Sequence, residues 1–144
     1  MLEESPAPGT NPEPPTRGSG EHILFVDDEP ALVRMAVPLL ERLGYRATGF
    51  TVPHEALAAF EKSPGEFDAV ITDLSMAKLT GLELGVKILA IRPDIPILIA
   101  TGFNSALTPE LVQQRGFQDL LLKPFSPDRL AEALQRGLHR EAPQ

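Results

Sequence analysis

Five side chains of this 144-residue chain are suited to phosphoryl chemistry: Asp27, Asp28, Asp73, Thr101 and Lys123. Each follows a short apolar run. Ile23-Leu24-Phe25-Val26 leads into Asp27-Asp28, Phe67-Asp68-Ala69-Val70-Ile71-Thr72 into Asp73, Ile95-Pro96-Ile97-Leu98-Ile99-Ala100 into Thr101, and Leu120-Leu121-Leu122 into Lys123. If these runs are neighbouring strands pointing one way, three carboxylates, a hydroxyl and an ammonium meet at one sheet edge. Clustered carboxylates repel one another, and the simplest remedy is a hard divalent cation. Ligands that are all oxygen select Mg²⁺ over zinc or copper. Mg²⁺ keeps several waters and favours phosphate oxygens, so the cluster suits a phosphoryl group. Mg²⁺ would take one phosphoryl oxygen, Lys123 a second and Thr101 a third. A carboxylate such as Asp73 can then be the nucleophile that forms an acyl phosphate.

Each residue alone has a plainer account. Asp27-Asp28 could cap a helix N-terminus. Asp73 could cap a turn, Thr101 could merely end a strand, and Lys123 could be a solvated surface lysine. Four strand ends of the required types in the required order make the joint chemical account the better one.

The elements that must position them alternate along the chain. After the strand Ile23–Val26, Pro30 suits a first helical turn. Leu32, Met35, Ala36, Leu39, Leu40 and Leu43 then recur at helical spacing up to Gly44. Pro38 removes a backbone donor in mid-helix and should kink it. Tyr45 to Phe50 is a second strand and Pro53 to Lys62 a second helix, broken by Ser63-Pro64-Gly65. Gly81 to Ile91 is a third helix, stopped by Arg92-Pro93. Thr108-Pro109 opens a fourth helix to Arg115, and Ser126-Pro127 a fifth to about Leu138.

Five strands alternating with five helices predict an α/β fold, a doubly wound parallel sheet covered on both faces. The continuously apolar central strands fit double burial. Such sheets bind ligands at the carboxyl ends of their strands.

Composition sets the bounds. The net charge is -7, 42% of residues are hydrophobic and there is no cysteine. One domain is expected, without a disulfide scaffold, a cysteine–zinc site or a thiol nucleophile. The acidic balance speaks against direct nucleic-acid binding. No apolar run reaches the roughly 20 residues of a membrane helix, and residues 1–20 lack a secretory signal, so no membrane contact and a cytoplasmic location are expected. Residues 1–20, rich in Pro, Gly, Ser, Thr and Glu, are expected to be a disordered linker or tail, with the domain at 21–141. A linker at that end suggests a piece of a longer protein.

Val26-Asp27-Asp28-Glu29, Val70-Ile71-Thr72-Asp73, Gly81-Leu82-Glu83-Leu84, Ala100-Thr101-Gly102 and Leu122-Lys123-Pro124-Phe125 together resemble the receiver domain of two-component response regulators, over roughly Glu21 to Arg140. The resemblance implies a flavodoxin-like fold with strand order 2-1-3-4-5. It implies that Asp73 accepts phosphate from a phosphohistidine on a sensor histidine kinase or a histidine phosphotransfer domain. It also implies that Asp27 and Asp28 hold Mg²⁺ with help from the Ser75 carbonyl, Asp27 largely through water. Thr101 would contact the phosphoryl group and shift on activation. Lys123 would pair with a phosphoryl oxygen, with its bond to Pro124 commonly cis. The surface of the fourth and fifth helices would then signal onward, with self-association through them possible in this family. The phrases Ile23 to Pro30 and Leu98 to Phe103 also look like receivers at the C-terminus of hybrid sensor histidine kinases.

Three positions depart from the family pattern. Leu120 stands where an aromatic side chain is usual, so an aromatic switch is not expected there. Ala77 replaces a usual proline, which loosens that loop. Phe103 occupies a site that influences water access to the phosphoaspartate, so a bulky side chain there is expected to slow hydrolysis.

The chain is expected to catalyse only its own phosphorylation and dephosphorylation. A stand-alone response regulator or a phosphorelay intermediate is the alternative. An aspartate-nucleophile phosphatase ranks lower, because it needs a second carboxylate where Ser75 stands. A flavin module ranks low because Asp27-Asp28-Glu29 would repel the flavin phosphate. A DNA-binding regulator needs an output domain beyond this sequence. His22, His54 and His139 are assigned no chemistry.

Overall fold

A computed structural model describes residues 18–102 and 106–139. Its elements are β1 (His22–Val26), α1 (Pro30–Arg42), β2 (Arg46–Phe50), α2 (Pro53–Lys62), a 3₁₀ turn (Pro64–Glu66), β3 (Ala69–Asp73), α3 (Gly81–Ile91), β4 (Ile97–Thr101), α4 (Pro109–Gln114), β5 (Asp119–Leu122) and α5 (Pro127–Leu138). The strands form one parallel sheet in the order β2-β1-β3-β4-β5. This is the doubly wound arrangement that the alternation predicts, in the flavodoxin-like strand order that the resemblance implies.

Successive side chains of a strand point to opposite faces, so the sheet carries two cores. Leu24, Val26, Val70, Ile97 and Ile99 pack with Phe60, Ile88 and Val112 of α2, α3 and α4. Ile23, Phe25, Ile71, Leu98 and Leu121 pack with Leu40, Leu130 and Leu134 of α1 and α5. All five residues of each of β1, β3 and β4 are buried, as strands covered on both faces must be.

Helix α1 continues through Pro38, as the apolar periodicity beyond it predicts, and Leu39 and Leu40 are buried. Burial of that face outweighs the one lost backbone bond. β3 starts at Ala69, because Asp68 donates its N–H to the His22 carbonyl outside the ladder and accepts from the His22 N–H. β4 starts at Ile97, since Pro96 has no N–H to give a ladder.

Gly18 and Gly20, assigned to the tail by composition, are fastened to the domain. Gly18 N–H donates to the Leu43 carbonyl, Gly20 N–H donates to the Gly44 carbonyl, and Arg46 Nε donates to the Gly20 carbonyl. The Gly18 backbone lies against the Tyr45 ring, where a Cβ would clash. The rest of the proposed tail, residues 1–17, lies outside the described residues.

Candidate functional site

Asp27 follows β1, and Asp73 is the last residue of β3, the strand beside it. Parallel pairing of β1 with β3 therefore brings their carboxylates to one edge. One oxygen each from Asp27, Asp28 and Asp73 lie within 4.8 Å of one another. Asp27 and Asp73 are buried at 1% and 6% exposure, whereas Asp28 is exposed.

Lys123 directly follows β5 and reaches this cluster from two strands away from β3. Its backbone N–H donates to the Thr101 carbonyl at 2.8 Å, which sets it beside the end of β4. The Lys123–Pro124 peptide is cis. Lys123 Nζ donates to Asp27 Oδ2 at 2.8 Å and lies 2.6 Å from Asp73 Oδ1. Both oxygens of Asp27 are thus engaged, because Oδ1 accepts the Glu29 N–H at 2.9 Å just before α1. The Glu29 bond lies one residue before α1, so Asp27 does not cap that helix, whose N-cap Glu29 has no side-chain cap bond.

Burial raises the Asp73 carboxyl above its ordinary value, and the charge of Asp27 adds to this while the hydrogen bond from Lys123 opposes it. Burial also works against the Lys123 ammonium. Its hydrogen bonds to Asp27 and Asp73 outweigh that, and its pKa is raised. Lys123 is therefore a fixed cation at neutral pH, and Asp73 is a carboxylate held at a cost.

Thr101 is the last residue of β4 and is buried. Asp73 pairs with Ala100, so Thr101 lies one register position beyond the Asp73 carboxylate. Its hydroxyl contacts the Gly102 carbonyl at 3.4 Å, a weak bond that leaves it available to a ligand. Ser75 is exposed in the loop after β3. Ala77 N–H points to Asp28 Oδ2 at 3.4 Å, so this loop touches the one exposed carboxylate. Lys78 has φ of 74°, the only positive value for a non-glycine among the described residues. Leu120, in the usual aromatic position, is 4% exposed and packs in the core on the α2–α4 side. Phe103 lies outside the described residues.

One contributor was not identified as such from sequence. Helices α1, α2, α4 and α5 all open on proline, but α3 opens on Gly81. A Cβ at Gly81 would collide with the Asp73 carbonyl oxygen. Gly81 N–H also donates to the Leu74 carbonyl at 2.9 Å. The start of α3 is locked by a capping box, in which Thr80 Oγ1 accepts the Glu83 N–H and Glu83 Oε1 accepts the Thr80 N–H. The signal was present in the exception to the proline pattern.

The donor set fits a hard divalent cation. It is oxygen only, three carboxylates share it, and Asp28 is solvent-facing with no strong bond of its own. One ammonium does not balance three carboxylates.

Comparison with known proteins agrees with this geometry. The family model described as response regulator receiver domain matches residues 23–135. The chain is 37% identical over 116 residues to the transcriptional regulatory protein ZraR of Salmonella typhimurium, covering 81% of this chain and 26% of that protein. The chain thus spans about a quarter of that relative's length. Among solved structures, a response regulator receiver domain protein from Clostridium thermocellum superposes with a TM-score of 0.79 at 29% identity, covering 83% of this chain and 95% of that one. The response regulator protein TrrA from Thermotoga maritima, in complex with Mg(2+)-BeF, superposes with a TM-score of 0.71 at 28% identity, over 82% of this chain and 99% of that one.

Proposed function

This chain belongs to the response regulator receiver domain family, and on that premise we propose that it is a phospho-acceptor switch whose acceptor is Asp73. The observation that carries the proposal is the pinning of Asp73 Oδ1 by Lys123 at 2.6 Å, within a cluster of three carboxylates at the strand ends. The donor is a phosphohistidine on a sensor histidine kinase or a histidine phosphotransfer domain.

Asp73 attacks phosphorus in line with the departing imidazole nitrogen. The O–P bond forms as the P–N bond breaks, and the electron pair leaves with the imidazole. Lys123 neutralises charge on the transferred group, and the Thr101 hydroxyl donates to one of its oxygens. Asp28, Asp73 and the Ser75 carbonyl would hold Mg²⁺, with Asp27 acting through water. The ion, when bound, offsets the carboxylate charge and polarises a phosphoryl oxygen. The Mg²⁺ held by the related TrrA supports this assignment. Movement of Thr101 and of the loop after β4 then alters the surface of α4 and α5. The chain acts on its own aspartyl phosphate and on no external metabolite. A cytoplasmic location is part of this reading, and among the described residues no helix is long and apolar enough to cross a membrane.

The finer assignment, to the receiver of a hybrid sensor histidine kinase, rests on the phrases around Asp27 and Thr101. A second reading, the receiver of a transcriptional regulator, is favoured by the likeness to ZraR. Intact mass after incubation with acetyl phosphate and Mg²⁺ tests the shared core of both. One added phosphoryl group is expected, absent without Mg²⁺ and in Asp73→Asn. No adduct under conditions that label another receiver would overturn it.

A further inference from the structure

Away from the strand ends, a groove of about 420 Å³ runs along α3 toward the C-terminal end of α4. Buried Leu79 and half-buried Leu82 line it, together with Val86, which at 55% exposure is the most exposed large apolar side chain among the described residues. Leu82 and Val86 are four apart and share one face of α3. Lys78, Lys87 and Arg115 line the same groove. None of the three forms an ion pair with another described residue. Glu83 is the one acid in the lining, and its carboxylate is committed to the Thr80 N–H in the capping box.

Three cations around an apolar strip are an anomaly on a chain with a net charge of -7. A small anion would satisfy the cations and leave Val86 in water. A nucleic acid would meet the repulsion of the whole molecule. A segment that is both acidic and apolar satisfies both halves of the groove. We propose that the α3–α4 groove docks an acidic amphipathic helix of a partner protein, with its apolar residues against Leu82 and Val86 and its carboxylates against Lys78, Lys87 and Arg115. This inference does not depend on the phosphoryl reading, because the groove is lined by α3, by Lys78 and Leu79 just before it and by Arg115 just after α4, and uses none of the strand-end residues.

The test is a titration of the full chain with a fluorescein-labelled helical peptide carrying Glu on one face and Leu on the other. Binding is followed by anisotropy and by amide shifts in ¹⁵N spectra. Saturable binding is expected, with shifts concentrated at residues 78–87 and near Arg115. The double substitution Lys87→Glu with Arg115→Glu should weaken it about tenfold or more, as should raised salt. Val86→Asp should weaken it with the cations intact. All three residues are exposed, and unchanged thermal unfolding confirms that the variants fold. Equal binding by the variants, or shifts confined to other faces, would overturn the proposal. Matching shifts from inorganic diphosphate at lower concentration would reassign the groove to a small anion. Self-association on sedimentation that Val86→Asp abolishes would reassign it to a second copy.

Discussion

Lys123 Nζ lies closer to Asp73 Oδ1, at 2.6 Å, than to Asp27 Oδ2, at 2.8 Å, and bridges the two buried carboxylates. The ammonium is therefore a resident cation, and a divalent ion entering the cluster shares ligands with it.

Lys123→Met should consequently bind Mg²⁺ several-fold more tightly, read by calorimetric titration. The same substitution should slow labelling by acetyl phosphate by about 10²-fold, the usual loss for one charge-stabilising donor. Weaker Mg²⁺ binding in the variant would show that Lys123 organises the carboxylates rather than competing for them.

Asp73→Asn should abolish the phosphoryl adduct and raise the melting temperature at neutral pH. The folded chain holds the Asp73 carboxyl above its ordinary 3.8, chiefly through burial. Below that value both states are protonated and the aspartate costs nothing. As pH rises through 3.8 toward the folded value, the unfolded state ionises first and stability is lost. The advantage of Asn should therefore be absent at about pH 3 and grow as pH rises through 3.8 toward the folded value, in thermal scans from acid to neutral pH. An advantage that grows as pH falls would contradict this sign.

Tyr45→Phe should cost about 1 kcal/mol, the net worth of one buried hydrogen bond. Gln135 Nε2 donates to Tyr45 Oη at 2.8 Å. Burial holds the Tyr45 phenol above its ordinary 10.0. That contribution is whole below 10.0 and is lost as pH rises toward the folded value. The difference between wild type and Phe should shrink in alkaline urea titrations. The slope that remains in the variant belongs in part to Lys123, whose pKa is raised from 10.5 and so acts with the same sign.

Gly81→Ala should destabilise by about 1–3 kcal/mol, the range for forcing an atom into packed structure. It should also slow phosphorylation, since the atom displaced is the backbone oxygen of Asp73. An Ala variant as stable and as readily labelled as wild type would mean that the contact relaxes freely.

Much of this architecture was legible because its signals are local. An apolar run ending in Asp, Thr or Lys marks both a buried parallel strand and its carboxyl end, so Asp27, Asp73, Thr101 and Lys123 could be gathered before any geometry was known. Strand starts were less legible, because Asp68 and Pro96 are excluded by a missing or diverted donor and not by polarity. The attachment of Gly18 and Gly20 depends on Leu43, Gly44 and Arg46, which are remote in sequence. The double engagement of Asp27 by Glu29 and Lys123 likewise needs residues 96 positions apart to meet. Composition carries no trace of such contacts.

The absence of a side chain at Gly81 leaves the first turn of α3 resting directly on the peptide of Asp73. Close-packed interiors pass strain on with little compression. A tilt of α3 therefore arrives at the backbone of Asp73, and a displacement of Asp73 arrives at α3. By reciprocity, whatever grips α3 more firmly in one state of Asp73 also favours that state over the other by the same factor.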